Sequence, residues 1–550
     1  MTQRNTTTAN TSAESGSETA DVDVIVIGAG MGGLYAVHRL RDDLGLRVQA
    51  FEAASGVGGT WYWNRYPGAR TDSPYTAYRY SWSDDLVRDW TWTERYPSQP
   101  EVLKYLEFVA DRLDLRRSYC FNARVTSAEY DDTTNTWTVR TADGTAATSK
   151  FLVSALGLVS APITPTIHGL DTFAGTVIQA STWPHEDIDL TGRRVALIGT
   201  GSTGIQILPI IAPQADAVTV FQRTPNYVVP AQNRTLTDQD ISDLRTRHRD
   251  IAEQLRQHPF ALPMATVGMN AVDVDEQTRE RIYEQAWNKG GFHFLFETFD
   301  DVAVDDTANE TACEFIRNKI RAIVNDPDVA ERLTPKGYPY GAKRPPAGTG
   351  YYEAYNRPNV TLVDLNAEPI EAVTASTIRT AQNAYDVDTV ILATGFDAAT
   401  GSFTRIDIRG RNGITLTDKW ADGPLTTLGF ATAGFPNLLM VTGPLSPFAN
   451  LPTCIEETVD WIVDLIAHMN SHDLNTVEAV ESSETDWAQT VTAAANAMTA
   501  AKGVDVQSWF TGANVEGKAR AVNVFFGGAN NYFQLCREAA ANGYEGFVLN

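Results

Sequence analysis

Val24-Ile-Val-Ile-Gly28-Ala-Gly30-Met-Gly-Gly33 decides the fold of this chain, and Val195-Ala-Leu-Ile-Gly199-Thr-Gly201-Ser-Thr-Gly204 repeats its pattern. In each stretch an apolar strand runs into glycines that permit a tight turn. The helix that follows can receive a pyrophosphate through its N-terminal N–H groups and its dipole. The pair predicts an α/β protein with two Rossmann-like dinucleotide-binding domains, in which electrons pass from one nucleotide to another.

The residue that follows the second strand of each unit indicates which nucleotide binds there. Glu52 stands at this place in the first unit, where a carboxylate can accept hydrogen bonds from ribose hydroxyls. Arg223 follows Gly199 by the same number of residues as Glu52 follows Gly28, and its cation suits the 2′-phosphate of NADP. The two residues predict FAD in the first unit and NADPH in the second.

Composition and charge exclude several classes of function. The 550 residues are 43% hydrophobic and 20% charged, which is typical of a globular protein. The net charge of −24 argues against nucleic-acid and anionic-membrane partners, and no apolar run approaches the roughly 20 residues of a membrane span. The cysteines form no CxxC and the histidines show no ligand spacing, so we expect neither a metal site nor a redox disulfide.

Composition also indicates how the chain is divided. Residues 1–21 are polar and lack an apolar core, so we expect a disordered tail, no signal peptide and a cytoplasmic location. Residues 150–157 and 388–395 are buried-strand patterns that end in glycine, as where a parallel sheet meets its cofactor. We predict a discontinuous FAD-binding domain (22–160 and 385–550) and an NADP-binding domain (161–384), with a helical insertion at about 237–334.

The loop after Glu52 carries the chemistry and reads Gly58-Gly-Thr-Trp61-Tyr-Trp-Asn-Arg-Tyr-Pro-Gly-Ala-Arg-Thr-Asp72. Its glycines allow close approach to a ring system, Trp61 offers a flat apolar wall, and Asp72 supplies a carboxylate. The run resembles, at every defined position, the first signature of the type I Baeyer-Villiger monooxygenases. Residues 334–345, 350–357, 442–448 and 509–518 resemble the cyclohexanone monooxygenase branch, so the resemblance extends over nearly the whole chain after the tail.

One position departs from the family pattern. The family's second signature is Phe-x-Gly-x-x-x-His-x-x-x-Trp-Pro, and here Gln179 stands at the place of the histidine, between Gly175 and Trp183. Glutamine donates and accepts hydrogen bonds but gains no charge near neutral pH. We expect that this position orients the link between the two nucleotide domains, so that glutamine suffices.

The resemblance implies the reaction and the residues that perform it. NADPH reduces FAD, reduced FAD takes up O2 as a peroxide, and the peroxyflavin attacks a ketone to form a Criegee intermediate that rearranges to an ester or lactone. Arg344 matches the family's active-site arginine, which suits stabilisation of negative charge because a guanidinium stays charged and offers several fixed donors. Asp72 matches its carboxylate partner.

The remaining assignments also follow from the resemblance. Arg223, Thr224 and Lys343 match residues that hold the NADP phosphate, and Trp509 matches a tryptophan that touches the nicotinamide. The substrate is expected to be a small cyclic or aliphatic ketone, and the protein a monomer or weak homo-oligomer. The cofactor-binding candidates are Gly28, Gly30, Gly33, Glu52, Gly59, Thr60, Trp61, Asp72, Gly199, Gly201, Ser202, Thr203, Gly204, Arg223, Thr224, Lys343 and Trp509; the substrate-pocket candidates are Leu445, Ser446 and Phe448.

Two other functions stay open at this point. A flavin monooxygenase that oxidises amine nitrogen or sulfide sulfur would share both cofactors and both glycine patterns. A protein that only senses NADPH, or an uncoupled NADPH oxidase that makes peroxide, would carry Gln179 as a mark of lost coupling. The loop from Gly58 to Asp72 and Arg344 favour the ketone.

Overall fold

A computed structural model describes residues 20–499 and 507–550. Most of the predicted tail, residues 1–19, therefore lies outside the described residues. The strands are β1 (Val22–Ile27), β2 (Val48–Phe51), β3 (Tyr119–Cys120), β4 (Val125–Asp131), β5 (Thr136–Thr141), β6 (Ala146–Ser154), β7 (Thr176–Gln179), β8 (Arg194–Ile198), β9 (Ala217–Gln222), β10 (Val229–Pro230), β11 (Ala347–Gly348), β12 (Val360–Asp364), β13 (Ile370–Val373), β14 (Thr377–Thr380), β15 (Ala384–Asp386), β16 (Thr389–Leu392), β17 (Asp407–Arg409), β18 (Leu438–Met440), β19 (Val477–Ala479) and β20 (Phe547–Leu549).

Helices surround these strands and also fill a long stretch of the middle of the chain. They are α1 (Met31–His38), α2 (Thr60–Trp63), α3 (Asp84–Asp89), α4 (Gln99–Arg112), α5 (Ser202–Ile211), α6 (Asp238–Gln257), α7 (Glu276–Lys289), α8 (His293–Phe296), α9 (Asp306–Ile323), α10 (Pro327–Leu333), α11 (Tyr351–Ala354), α12 (Gly401–Thr404), α13 (Leu416–Lys419), α14 (Leu451–Ser471), α15 (Glu481–Asn496) and α16 (Ala529–Ala541).

Two sheets organise the molecule. The first has the order β17-β4-β5-β6-β1-β2-β3, with β18 also paired to β6. The second has the order β12-β9-β8-β16-β7, and all of its pairings are parallel. Both sheets place a glycine loop at the end of a central strand, which confirms the predicted α/β class with two Rossmann-like units.

Alternating side chains of the central strands enter different cores, which explains why these strands are apolar throughout. In β1, Val24 and Val26 pack with helices α1 and α14, whereas Ile25 and Ile27 pack with strands β4 and β5. In β8, Val195 and Leu197 likewise face a helical core, and the alternate residues face a core that includes β13–β15. A strand buried on both faces requires a continuous apolar run rather than an alternating one.

The structure corrects the predicted return of the chain to the first unit. Residues 388–395 were predicted to re-enter the FAD-binding domain, but β16 lies in the second sheet, where Val390 is in register with Ala196 of β8. The chain reaches the first sheet only at β17, which pairs with β4. The pattern of an apolar strand followed by glycine is the same in both units, so strand pairing alone decides the assignment.

The predicted helical insertion corresponds to α6–α10, but it contacts both units. Helix α6 packs against α3, α14 and α16, and its Leu244 belongs to the core of the first unit. Helices α7, α8 and α9 contribute to the core of the second unit. The insertion therefore joins the two cores instead of extending the second one alone.

Two further features bear on function. No helix within residues 20–499 and 507–550 is long and apolar enough to cross a membrane. In the same part of the chain, no cluster of three or more His, Cys, Asp or Glu side chains is arranged to hold a metal ion.

Candidate active site

The first glycine loop has the geometry of a pyrophosphate site. Gly28 has φ +108°, and a Cβ there would lie 2.5 Å from the carbonyl oxygen of Ala155. A Cβ on Gly33 would lie 1.8 Å from the carbonyl oxygen of Gly28, so only glycine lets helix α1 approach the strand this closely. No side chain caps α1, which leaves its first N–H groups for an anion.

The second glycine loop repeats this geometry. Gly199 has φ +111°, and a Cβ there would lie 2.3 Å from the carbonyl oxygen of Ala393. A Cβ on Gly204 would lie 2.1 Å from the carbonyl oxygen of Gly199. Helix α5 begins at Ser202 and also has no side-chain cap. Space is open above Gly201, where an added Cβ would meet nothing within 4 Å. Both loops therefore fit a dinucleotide pyrophosphate.

Glu52 lies at the carboxyl end of β2 beside the first loop. It is only 6% exposed, and its two oxygens accept hydrogen bonds from the backbone N–H groups of Ala29 and Ala54, each at 2.7 Å. Burial raises the pKa of its carboxyl group. An ionised carboxylate has about four lone-pair positions, so the two that remain suit the hydroxyls of a ribose.

Arg223 and Lys343 come together at the second unit although they are far apart in sequence. Partial burial, with the Arg223 cation as the second cause, lowers the pKa of Lys343 to about 8. The Arg223 side chain itself is exposed. Among the described residues, no carboxylate acts on the pKa of either side chain. Thr224 follows Arg223, and its carbonyl accepts from the Thr200 hydroxyl at 3.1 Å. Two cations without a carboxylate fit the 2′-phosphate of NADP.

The aromatic loop packs directly on the first glycine loop. A Cβ on Gly59 would lie 2.7 Å from Cα of Gly30, and Thr60 begins the short helix α2. The Trp61 indole donates from Nε1 to the Tyr78 hydroxyl at 3.0 Å. Burial raises the pKa of Tyr78 to about 12. The loop thus forms a rigid aromatic wall beside the first nucleotide site.

The same loop also contacts the second unit. The Tyr66 hydroxyl donates to Oε1 of Gln206 in α5 at 2.9 Å. A Cβ on Gly68 would lie 2.5 Å from the carbonyl oxygen of Gln206, so the loop lies against the helix. Burial raises the pKa of Tyr66 to about 12. The sequence reasoning gave no role to Tyr66 or Gln206, although the aromatic-Pro-Gly motif that contains Tyr66 was part of the signature.

Arg344 connects three separate parts of the chain at this junction. Its guanidinium forms an ion pair with Oδ2 of Asp72 and donates from Nη2 to the Ser202 hydroxyl at 2.8 Å. The Asp72 side chain is 9% exposed and that of Arg344 is 30% exposed. The predicted catalytic pair is therefore assembled between the aromatic loop and the second glycine loop, and Ser202, predicted only to bind coenzyme, contacts the arginine.

The structure brings together only part of the predicted substrate pocket. Phe448 is half-buried, and its ring centroid lies 6.1 Å from that of Trp509 and 4.8 Å from that of Phe510. Leu445 and Ser446 are 2% and 6% exposed and lie inside the protein. A direct contact of these two side chains with substrate remains a prediction.

Gln179 ends strand β7 in the second sheet. Its Nε2 donates to the Ser181 hydroxyl at 3.3 Å, whereas its buried Oε1 has no hydrogen-bond partner among the described residues. It is in register with Leu392 at the end of β16. Three residues after Leu392, the Gly395 carbonyl accepts from the N–H of Ile163 at 3.0 Å, so the segments that precede β7 and follow β16 lie side by side.

The C-terminal segment fastens the stretch that follows β16. Asn514 donates from Nδ2 to the Phe396 carbonyl at 2.8 Å, and Lys518 contacts the Asp397 carboxylate at 2.5 Å. Sequence reasoning placed both residues in a family-like segment without assigning them a role. Because the contacts are non-local, no local pattern could have identified them.

Comparisons with known proteins agree with this geometry. Residues 22–248 match the family model described as pyridine nucleotide-disulphide oxidoreductase. The chain is 44% identical over 531 residues to a Baeyer-Villiger monooxygenase of Pseudooceanicola batsensis, with 96% of each chain covered. It is 42% identical to the phenazine N-monooxygenase PhzNO1 of Lysobacter antibioticus, with 96% of this chain and 97% of that one covered.

Solved structures of other proteins also resemble this chain over nearly its whole length. The structure of cyclohexanone monooxygenase from Rhodococcus sp. Phi1 bound to NADP+ matches with a TM-score of 0.94 and 45% identity, over 96% of this chain and 99% of that one. Solved relatives hold FAD as well as NADP. These findings confirm the resemblance and both cofactors: the chain belongs to the Baeyer-Villiger monooxygenases, flavoproteins that use FAD, NADPH and O2 to insert oxygen beside a ketone carbonyl.

Proposed function

We propose that this enzyme converts small cyclic or aliphatic ketones to lactones or esters, with Arg344 and Asp72 as its catalytic pair. One observation supports this most: Arg344 lies between the aromatic loop and the second glycine loop, bound to Asp72 of the former and to Ser202 of the latter. In the proposed reaction the ketone oxygen becomes negative, and a fixed positive charge beside the second nucleotide site would stabilise it.

The guanidinium suits the charge that develops on the ketone. It keeps its proton at every working pH and offers five donors. Asp72 and Ser202 each accept from one of its nitrogens, which leaves other N–H groups for the former carbonyl oxygen as it becomes negative. The ion pair with Asp72 orients the arginine. Because the Asp72 side chain is only 9% exposed, this interaction lies in surroundings of low dielectric constant, where it is stronger than in water. When bound, NADPH supplies electrons and FAD activates O2.

Arg344→Ala tests the role of the arginine. We expect NADPH to reduce the flavin of the variant at a rate close to that of the wild type, while lactone formation from cyclohexanone falls about 100-fold or more. Arg344→Lys is the matched control, because it keeps the cation and loses the fork of donors. Undiminished oxygenation by Arg344→Ala would remove the arginine from the mechanism.

A second activity deserves a direct test because a relative of similar identity is named as a phenazine N-monooxygenase. Nitrogen or sulfur oxidation would use the same cofactor sites. Incubation with NADPH and either cyclohexanone, thioanisole or phenazine, followed by analysis of lactone, sulfoxide, N-oxide and peroxide, separates the functions. Lactone as the main product supports the proposal, N-oxide or sulfoxide alone assigns heteroatom oxidation, and peroxide alone assigns an uncoupled NADPH oxidase.

We further propose that the protein acts in the cytoplasm as a monomer or weak homo-oligomer, without nucleic-acid or membrane partners. The net charge of −24 supports weak self-association and the lack of nucleic-acid and anionic-membrane partners, because it repels anionic surfaces and other copies of the chain. Analytical ultracentrifugation over a range of protein concentrations measures the association, and a stable large oligomer would contradict it.

A further inference from the structure

The aromatic loop, residues 58–72, is held by the first unit at both of its ends. At its start, the Gly58 N–H donates to the Ala29 carbonyl at 2.9 Å. Near its end, the Thr71 N–H donates to the Pro97 carbonyl at 3.0 Å. These contacts fix the two ends, so the position of the middle of the loop depends on what lies against it.

The middle of the loop lies against helix α5 of the second unit, where Gln206 contacts it. The Tyr66 hydroxyl donates to Oε1 of Gln206 at 2.9 Å, and Nε2 of Gln206 donates to the Arg70 carbonyl at 3.3 Å. Gly68 lies between these two loop residues, and a Cβ there would lie 2.5 Å from the Gln206 carbonyl oxygen. One side chain of α5 thus hydrogen-bonds the loop on both sides of the glycine.

The amide group of Gln206 suits both of its partners. A backbone carbonyl accepts hydrogen bonds and donates none, so the Arg70 carbonyl requires the NH2 group and leaves the amide oxygen for the Tyr66 hydroxyl. A glutamate of the same size would still accept from Tyr66 but would turn an oxygen toward the Arg70 carbonyl. A methionine of similar length would make neither hydrogen bond.

Gln206 lies beside Ser202, the residue of α5 that accepts from Arg344. The two α5 residues are four positions apart, and side chains at this spacing are neighbours on one face of a helix. Arg344 in turn pairs with Asp72 at the end of the loop. Burial raises the pKa of Tyr66 to about 12, and the charges of Asp72 and Arg344 also act on it. The contact between Tyr66 and Gln206 is therefore close to the proposed catalytic pair.

We infer that Gln206 is a positioning residue, which holds the aromatic loop on α5 and so keeps Asp72 in line with Arg344. This inference rests on the proposed function. Asp72 belongs to the loop, whereas Arg344 is bound to α5 through Ser202. A shift of the loop along α5 would therefore move the carboxylate relative to the guanidinium that it orients. A misplacement of about 1 Å can lower a rate about 100-fold.

Two substitutions of Gln206 test this role in the FAD-loaded enzyme. We expect Gln206→Met and Gln206→Glu to lower kcat for lactone formation from cyclohexanone about tenfold, which is typical of the loss of one hydrogen bond. KM for cyclohexanone should stay within about twofold, because the inference gives Gln206 no contact with the ketone. Gln206→Glu separates positioning from space filling, since glutamate fills the same space without the donor.

Gln214→Met is the matched control. Gln214 is exposed just after α5, and its Nε2 donates to the Ile210 carbonyl at 3.0 Å. The same substitution there removes a hydrogen bond within the end of the helix and none to the loop, so kcat should match that of the wild type. Tyr66→Phe removes the other partner of Gln206. Added to Gln206→Met, it should lower kcat no further, because the acceptor of its hydroxyl is already gone.

Hydrogen exchange measures the docking of the loop without any ketone. The Ala69 N–H donates to the Tyr66 carbonyl at 3.1 Å, in the middle of the loop. In the FAD-loaded enzyme this amide should exchange about tenfold faster in Gln206→Met and Gln206→Glu than in the wild type and Gln214→Met, because the loop opens more often. The Gly58 amide, which is bound to the first unit, should exchange at the same rate in all four proteins.

The two measurements separate this inference from the proposed function. If the wild-type enzyme oxygenates no ketone, the proposed function fails, while the exchange of Ala69 still decides whether Gln206 holds the loop. The inference is refuted if Ala69 exchanges in both Gln206 variants as it does in the wild type. It is also refuted if Gln206→Met lowers kcat no more than Gln214→Met does, or if Gln206→Glu turns over cyclohexanone like the wild type.

Discussion

The affinity for NADP+ should decrease above about pH 8 because Lys343 then loses its charge. Burial and the Arg223 cation hold the pKa of Lys343 at about 8, below its ordinary value of 10.5. A guanidinium keeps its proton throughout this range. Repulsion between the two cations is therefore relieved only when Lys343 loses its proton. A bound 2′-phosphate should raise the pKa of Lys343 again, because an opposite charge nearby favours the protonated amine.

The size of the effect follows from this linkage. The pKa of Lys343 is about 8 in the free enzyme and higher in the complex, so the affinity is complete below pH 8 and declines as pH rises through it. Between the two pKa values the Kd should increase about tenfold per pH unit. Lys343→Met should weaken binding about 10- to 150-fold at pH 7, which is the worth of one charge-assisted hydrogen bond.

Titration of the FAD-loaded enzyme with NADP+, followed by the flavin absorbance, measures the Kd at several pH values. NAD+ is the internal control because it lacks the 2′-phosphate, and its Kd should be nearly constant over the same range. Lys343→Met should abolish the pH dependence for NADP+. The reasoning is refuted if the wild-type Kd for NADP+ stays constant from pH 7 to about pH 9.5, or if the dependence persists in Lys343→Met.

Three other substitutions test Gln179 and the second glycine loop. Gln179→His should leave ketone-dependent NADPH oxidation within a few fold, because the one side-chain hydrogen bond of Gln179 in the described part of the chain, to Ser181, is one that a histidine N–H can also make; a much larger gain would show that a charge was missing. Gly204→Ala should lower the free energy of unfolding by about 1–3 kcal/mol, since its Cβ would lie 2.1 Å from the Gly199 carbonyl oxygen. In contrast, thermal unfolding of Gly201→Ala should match the wild type, because that Cβ meets nothing within 4 Å, while its NADP+ binding should weaken.

Local patterns predicted most of the fold. The two apolar runs followed by glycines became β1 with α1 and β8 with α5, in loops of nearly equal geometry. Such features depend on neighbouring residues, which is why a sequence specifies them. The prediction for β16 was wrong, because an apolar strand followed by glycine can belong to either sheet. Only the pairing of β16 with β7 and β8 assigns it to the second sheet.

The site required the tertiary structure for another reason. The sequence by itself determined two nucleotide sites, their order, and a likeness to one family through motifs that are short and local. The folded chain decided that Arg344 meets both Asp72 and Ser202, and that the Arg223 cation lies near enough to Lys343 to lower the pKa of that lysine. These contacts join distant residues, and separation along the chain carries no information on distance in space until the sheets and their loops pack together.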